Sequence, residues 1–382
     1  LRDTESDGRR QQTARVWRAP GRVNLIGEHT DYNDGLVLPI AVPLVVTCAA
    51  RPTTDGVVRV VSVQRPGERI GVPVGALTTE RDRVPDWARY PVGVVAEFVR
   101  RGHRVDGVEL RLDGQVPIGA GLSSSAALCC SVAVAIRDLY TTGVGDRELI
   151  DMAQAAENEY VGVPTGVLDH AASLLCTAGH ALFLDVRRFR ETGNAGYEHI
   201  PFDLPRHGLS LLVIDTGQPH RLADGGYARR RAECAAAADA LGVAVLRDAE
   251  LTDVQRLDDS VLRRRARHVV TENERVRAVA DLLRGGADPR ETGPLLRTGH
   301  ISLRDDFDVS TPALDTAVDA ALTAGAYGAR MVGGGFGGSV IALVDDAAAD
   351  KTGDAVRAAF ARADFAEPRI SRVIAAAGAV GK

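Results

Sequence analysis

The stretch Gly21 to Gly35, GRVNLIGEHTDYNDG, gathers Arg22, Asn24, Glu28, His29, Asp31, Tyr32, Asn33 and Asp34 into one short run. Carboxylates, an imidazole and amides on a glycine-punctuated turn suit a small molecule bearing many hydroxyls, because each hydroxyl both donates and accepts a hydrogen bond. A solvated surface loop has a similar composition, but the apolar flanks Val23, Leu25, Ile26 and Leu36, Val37, Leu38 argue for a loop wedged between strands. A second group lies in PIGAGLSSSAALCCSVAVAIRDLY. There Gly119 and Gly121 permit a tight turn, and Ser123, Ser124 and Ser125 precede a run that is apolar on nearly every face. A loop that opens a buried helix offers free N–H groups and the positive end of the helix dipole, an anion site suited to phosphates; an ordinary serine N-cap is the other reading. Asp169 lies among Val167, Leu168, Ala171 and Ala172, an apolar setting in which a carboxylate needs a partner, and Arg22 is the partner we expect. Glu157 stands near the end of the preceding helical pattern, and for both acids a solvated helix position is the plainer alternative.

The elements that must position these groups are legible in outline. From Ala14 to Val63 the segments ARVWRA, LVLPIAV, LVVTCAA and VVRVVSV, separated by Pro and Gly, predict a mostly antiparallel sheet. PDWARYPVGVVAEFVRRG predicts a helix on which Trp87 and Tyr90, three apart, fit either core packing or stacking on an aromatic base such as adenine. ELIDMAQAAENEYVG reads as one helix stopped by Gly162 and Pro164, and TGVLDHAASLL as the next. HALFLDV and GLSLLVIDT read as strands, with YEHIPFDLPRHG as a turn-rich link, and helices follow from ADGGYARRRAECAAAADAL onward. ARMVGGGFGGSVIALV carries five glycines between Gly333 and Gly338 and reads as a loop of accessible amides or as a hinge. A last helix (Asp350 to Ala363) and strand (Arg369 to Ala375) complete an α+β order with no alternating βαβ signature and no internal repeat.

Composition narrows the function. A chain of 382 residues, 45% hydrophobic and 25% charged, belongs with soluble two-domain proteins. A net charge of -5 gives no general attraction to nucleic acid, and no apolar run is long enough for a membrane span. The first dozen residues, LRDTESDGRRQQ, read as a loose tail without signal-peptide character, so a cytoplasmic location is expected. The five cysteines are scattered with no CxxC pair, which argues for small core residues and against a disulfide framework or a zinc knuckle. Lys351 and Lys382 are the only lysines and neither follows GxxxxG, which excludes a P-loop. Nucleotide phosphates, if bound, fall to backbone amides, arginine and metal.

GRVNLIGEHTDYNDG resembles the galactokinase signature, PIGAGLSSSAAL resembles the ATP-binding motif of the wider GHMP small-molecule kinase superfamily, and ARMVGGGFGGSVIALV resembles its third motif. HVVTENERV and SLRDDFDVSTPALD are similar to further galactokinase segments, so the likeness runs from Val16 onward. It implies a two-lobed α+β GHMP kinase fold, with a ribosomal protein S5 domain 2-like N-terminal lobe over 13–190 and a ferredoxin-like C-terminal lobe over 191–382. It also implies transfer of the γ-phosphate of ATP to the C1 hydroxyl of galactose, with Mg²⁺, by a monomer. By the same resemblance Asp169 is the catalytic aspartate and Arg22 its neighbour, and Glu28, His29, Asp31, Gly166 and Tyr227 contact the sugar. Trp87 and Tyr90 match the adenine pocket; Gly119, Gly121, Ser123, Ser124 and Ser125 match the phosphate loop; Ser124 and Glu157 match magnesium ligands, with one position of ambiguity among the three serines. Two departures stand out: His170 where the family usually has Gln, and Asp215-Thr216 where many members have an Asn-Ser pair. Both are expected near sugar contacts. A kinase for a related hexose and a non-catalytic galactose sensor are the alternatives. Sensor relatives lack residues of the serine loop, which is complete here.

Overall fold

The computed structural model describes residues 13–140, 143–218 and 225–381. The loose tail expected at 1–12 and the first two residues of the helix expected from Ala223 lie outside them. The first half of the chain runs β1 (Arg15–Asn24), β2 (Leu36–Val37), β3 (Pro39–Pro52), β4 (Val57–Ser62), β5 (Ile70–Pro73), α1 (Asp86–Arg100), β6 (Val108–Gly114), α2 (Ser124–Tyr140), α3 (Asp146–Ala155), α4 (Leu168–Leu175), β7 (His180–Asp185), α5 (Val186–Thr192) and β8 (Tyr197–Pro201). The second half continues with β9 (Leu209–Asp215), α6 (Gly226–Leu241), α7 (Leu251–Val254), α8 (Ser260–Arg284), α9 (Gly293–Asp305), α10 (Pro312–Thr323), β10 (Gly328–Val332), β11 (Ser339–Asp345), α11 (Ala349–Arg362), β12 (Arg369–Val373) and β13 (Val380–Gly381).

Three sheets organise these elements: six strands in the order β13-β1-β3-β6-β4-β5, four in the order β10-β11-β9-β12, and three in the order β2-β7-β8. Only the β4–β6 pair is parallel among the described strands. Strict alternation explains β6, where Val108, Leu110 and Leu112 enter the core while Arg111 and Asp113 face outward. Near-continuous apolarity explains α2, which is buried along most of its length and packs against β1, β3, α1, α3 and α4. In the second half β9, β10 and β11 are almost wholly buried, covered by helices that include α10 and α11. All five cysteines are buried free thiols, as their scatter implied. No helix among the described residues is long and apolar enough to cross a membrane.

Several local expectations are refined. LVLPIAV is divided, Leu36–Val37 forming β2 beside β7, while its PIAV runs on into LVVTCAA as one strand, β3, through the exposed Pro43; the register between β1 and β3 shifts between Pro20 and Arg22 at this point, so a missing N–H donor is tolerated. The link YEHIPFDLPRHG contains a strand, β8, because its first five residues pair with β7. The helix read from ELIDMAQAAENEYVG is α-helical only to Ala155, after which Ala156–Val161 widen into a π-helical turn. The chain end also returns to the first sheet, where Val380 and Gly381 pair with Arg18 and Trp17.

Candidate active site

The polar loop between β1 and β2 folds back on itself and is stapled shut. Thr30 Oγ1 donates to the carbonyls of Gly27 (2.9 Å) and Leu36 (2.7 Å), and Leu25 N–H donates to Leu38 O at 3.0 Å. Gly27 is at φ +104°, and a Cβ there would lie 2.6 Å from Leu36 O, so no other residue fits this crossing. The result is a buried loop in which Glu28, His29 and Asp31 face a cavity of about 210 Å³. Gly166 closes against the same loop: a Cβ at this position would sit 1.5 Å from Asp31 Oδ2. Burial pushes the Asp31 carboxyl up from its ordinary value, and the nearby charge of Asp169 pushes it further. Tyr227, from the start of α6, stacks its ring 5.5 Å from His29 and 5.6 Å from Tyr32, which completes an aromatic wall. Burial pushes its phenol well up, so it remains a hydrogen-bond donor.

At the floor of the cavity Arg22 and Asp169 meet as expected. Arg22 Nε donates to Asp169 Oδ1 at 2.8 Å, Nη2 lies 2.6 Å from the same oxygen, and Nη1 donates to Gly121 O at 2.7 Å. Ser123 Oγ donates to the other carboxylate oxygen, Oδ2, at 2.6 Å. Ser124, Ser125, Gly119 and Gly121 line the cavity beside them at the opening of α2. The late glycine stretch packs directly on this turn: Ser339 Oγ donates to Ala120 O at 2.6 Å. Three of its amides are engaged, with Gly333 N–H on Glu28 Oε1 (3.1 Å), Phe336 N–H on Val309 O (2.7 Å) and Gly338 N–H on Gln218 O (3.1 Å). That narrows the expectation of a loop of accessible amides, of which Gly333 and Gly334 line the cavity.

Tyr90 and Glu157 line the cavity; Trp87 does not. Trp87 is partly buried against the core of the first sheet and its helices, and its indole donates to Glu68 Oε2 at 2.7 Å. The π-helical turn carries Glu157 inward to full burial. Among the described residues neither Glu157 oxygen receives a hydrogen bond, although His170 Nε2 lies 2.7 Å from Oε2. His170 is therefore not a wall of the sugar cavity: one residue past Asp169 on α4, its side chain points about a quarter-turn away, into the core. Asp215 and Thr216 also lie outside the cavity lining. Arg369 Nη2 donates to Asp215 at 2.9 Å, and Thr216 Oγ1 donates to Gly338 O at 2.7 Å. Neither departure is a wall of the cavity, although His170 adjoins it through Asp169 and Glu157.

Sequence reading missed the residues that hold the loop from behind. On α8, Glu272 Oε1 accepts from Gly27 N–H (2.9 Å), Asn273 Oδ1 accepts from Leu36 N–H (2.8 Å), and His268 Nε2 lies 3.1 Å from Glu28 O. Arg330 of β10 is fully buried between Glu28 Oε2 (2.5 Å) and Glu272 Oε1 (3.3 Å). The signal available was HVVTENERV, where polar residues at helical spacing interrupt an apolar stripe. Burial, reinforced by Arg275 and opposed by Glu272, pushes the His268 imidazole down to about 4. Burial would raise Glu272, but Arg275 and Arg330 outweigh it and hold the carboxyl at about 2. Both values lie below the ordinary ones, so the unfolded chain binds more protons in each window and stability is lost as pH falls, from 6.5 to about 4 for His268 and from 4.5 to about 2 for Glu272. Glu28 and Asp31, raised by burial, act in the opposite sense over their own windows. The expected outcome is that His268→Gln loses less melting temperature than wild type between pH 6.5 and 4.5; equal slopes would contradict it.

Comparison with known proteins places this geometry. Residues 7–52 match the galactokinase galactose-binding signature, 89–177 the GHMP kinases N terminal domain and 278–362 the GHMP kinases C terminal. A galactokinase of Streptomyces coelicolor is 47% identical over 369 residues, covering 95% of this chain and 93% of that protein. A galactokinase of Mycobacterium bovis is 42% identical over 364 residues, covering 94% and 97%. The crystal structure of Lactococcus lactis galactokinase complexed with galactose superposes with a TM-score of 0.90 at 30% identity, covering 97% of this chain and 95% of that one. The mixed α+β architecture is thus the GHMP kinase fold, and the chain belongs to the galactokinase family of that superfamily.

Proposed function

We infer that the chain transfers the γ-phosphoryl group of ATP to the C1 hydroxyl of galactose, giving galactose 1-phosphate and ADP. The observation that carries this reading is the Arg22–Asp169 pair, which lies in one cavity with the polar sugar loop and the serine loop. In the transfer, the bond from the sugar O1 to the γ-phosphorus forms as the bond from that phosphorus to the β–γ bridging oxygen breaks. The hydroxyl proton passes to Asp169, and ADP carries away the bridging electrons. Phosphoryl transfer leaves little covalent work to a protein, so alignment and charge stabilisation dominate. Asp169 orients the acceptor hydroxyl and takes its proton, while Arg22 places a positive charge beside the reacting centre. Glu28, His29, Asp31, Gly166 and Tyr227 form the wall that reads the sugar hydroxyls. On the nucleotide side Gly119, Gly121, Ser124, Ser125 and Tyr90 remain as contacts; Trp87, held at Glu68, has no part in this reading.

The residues present fit a divalent cation. Glu157 lines the cavity with Oε1 unpartnered among the described residues, Oε2 lying 2.7 Å from His170 Nε2, and Ser124 lines the same cavity. No group of three His, Cys, Asp or Glu side chains among the described residues could hold a metal alone, which agrees with an ion shared with nucleotide phosphates. Ser124 and Glu157 would hold Mg²⁺, which when bound neutralises charge on the phosphate oxygens.

The test is ADP release with a panel of hexoses in the presence of ATP and Mg²⁺. Turnover with galactose well above that with its epimers is the expected result. Turnover of another hexose with galactose inert overturns the substrate, and galactose binding with no ADP release from any hexose overturns the enzymatic reading.

A further inference from the structure

Asp169 has two oxygens with unequal surroundings. Oδ1 accepts from Arg22 Nε at 2.8 Å and lies 2.6 Å from Nη2 of the same guanidinium. The guanidinium therefore covers the Oδ1 side of the carboxylate. Among the described residues Oδ2 accepts the Ser123 hydroxyl alone, at 2.6 Å, and keeps one site on a side chain that is 25% exposed to the cavity. The acceptor hydroxyl therefore has a single place to deliver its proton, and Ser123 determines which one it is.

Ser123 is held in this role by its own backbone. It sits at φ +58°, a region that serine visits rarely, and its carbonyl already accepts from Ala127 N–H at 3.0 Å as α2 begins. Arg22 closes the circuit from the other side: its N–H donates to Leu122 O at 3.1 Å and its Nη1 to Gly121 O at 2.7 Å. A ring of hydrogen bonds thus runs from Arg22 to Asp169 to Ser123 and back through Leu122 and Gly121. A serine serving only phosphate would leave its hydroxyl to the cavity; here the proton is committed to Asp169.

We propose that Ser123 is a positioning residue for Asp169 that locks the serine loop to the carboxylate at a fixed separation, leaving Ser124 and Ser125 to the phosphates and cation. This rests on the phosphoryl-transfer reading above. It divides three adjacent serines, of which the sequence singled out Ser124 with one position of ambiguity, into one that serves the proton acceptor and two that serve the nucleotide.

The test compares Ser123→Gly, which accepts the positive φ without strain but removes Cβ with the hydroxyl, with Ser123→Ala, which removes the hydroxyl alone, each alone and combined with Asp169→Asn. A hydrogen bond to an ionised group predicts a kcat lowered about 10- to 100-fold in both single variants, with KM for galactose and for ATP each within about twofold of wild type. Galactose affinity by calorimetry is expected to be unchanged, and in the Asp169→Asn background Ser123→Gly is expected to cost no more than about a further twofold, the signature of two groups acting as one unit. A Ser123→Gly kcat within twofold of wild type overturns the proposal. So does an ATP KM raised tenfold or more, which marks a phosphate contact, and so does full additivity with Asp169→Asn. Wild type assayed alongside separates the two levels: inert wild type overturns the phosphoryl-transfer reading and this inference with it, whereas active wild type with an unaffected Ser123→Gly overturns this inference alone.

Discussion

Asp169→Asn is expected to lower kcat with galactose by about 10²- to 10⁴-fold, the usual contribution of a positioned proton acceptor, with smaller changes in either KM. Asparagine keeps the volume but replaces one acceptor oxygen by an NH₂ donor. That donor must face either the Arg22 guanidinium on one side or the Ser123 hydroxyl on the other, and both are already donors to Asp169. The fold should survive, because Arg22 keeps its hydrogen bond to Gly121 O and its backbone bond to Leu122 O. Steady-state kinetics with a melting curve as control decide the matter. A folded variant that retains more than about a tenth of the wild-type kcat would remove the proton-accepting role and leave Asp169 as an orienting group only.

Arg330→Met is expected to be the most damaging single change to stability, by about 3–5 kcal/mol, because it leaves buried carboxylates without their shared cation. Arg330 is completely buried; Nη1 donates to Leu25 O at 2.8 Å, and Nη2 faces Glu28 and Glu272. Glu272 retains Arg275 at 2.7 Å, so Glu28 bears most of the loss. Since Glu28 lines the cavity, a raised galactose KM should accompany the lower urea midpoint. Arg330→Lys, which restores a cation but not the fork to Leu25 and Glu28, should recover part of both. A loss below about 1 kcal/mol would mean that the strand-borne arginine is not what holds the loop.

The chemistry of the site was legible in the sequence wherever it is written in one contiguous run. Gly21–Gly35 and the Ser123–Ser125 loop each declare themselves by residue types that a bare structural turn does not require, and Asp169 stands out as an acid in apolar company. Strands were legible where alternation or an unbroken apolar run marks them, as in β6 and β9, whereas β8 was hidden in a turn-rich link. Pairings across the fold were not. Arg330 and Leu25 are separated by 305 residues and Glu272 and Gly27 by 245, and nothing local marks a buried arginine for a particular carboxylate. Nor could a linear reading tell Trp87 facing Glu68 from Trp87 facing a nucleotide, since both are helix positions three before Tyr90.

By itself, then, the order of residues determined the class of fold, the polar loop, the serine loop and the pairing of Asp169 with Arg22. Tertiary structure decided the rest: that Ser123 turns to Asp169, that a π-helical turn carries Glu157 inward, that His170 points to the core and away from the sugar cavity, and that α8 and β10 brace the loop from behind. The reason is physical. Residue type and periodicity specify what a segment can do, but the direction of each side chain depends on burial and on hydrogen-bond partners that only the packed chain brings within reach.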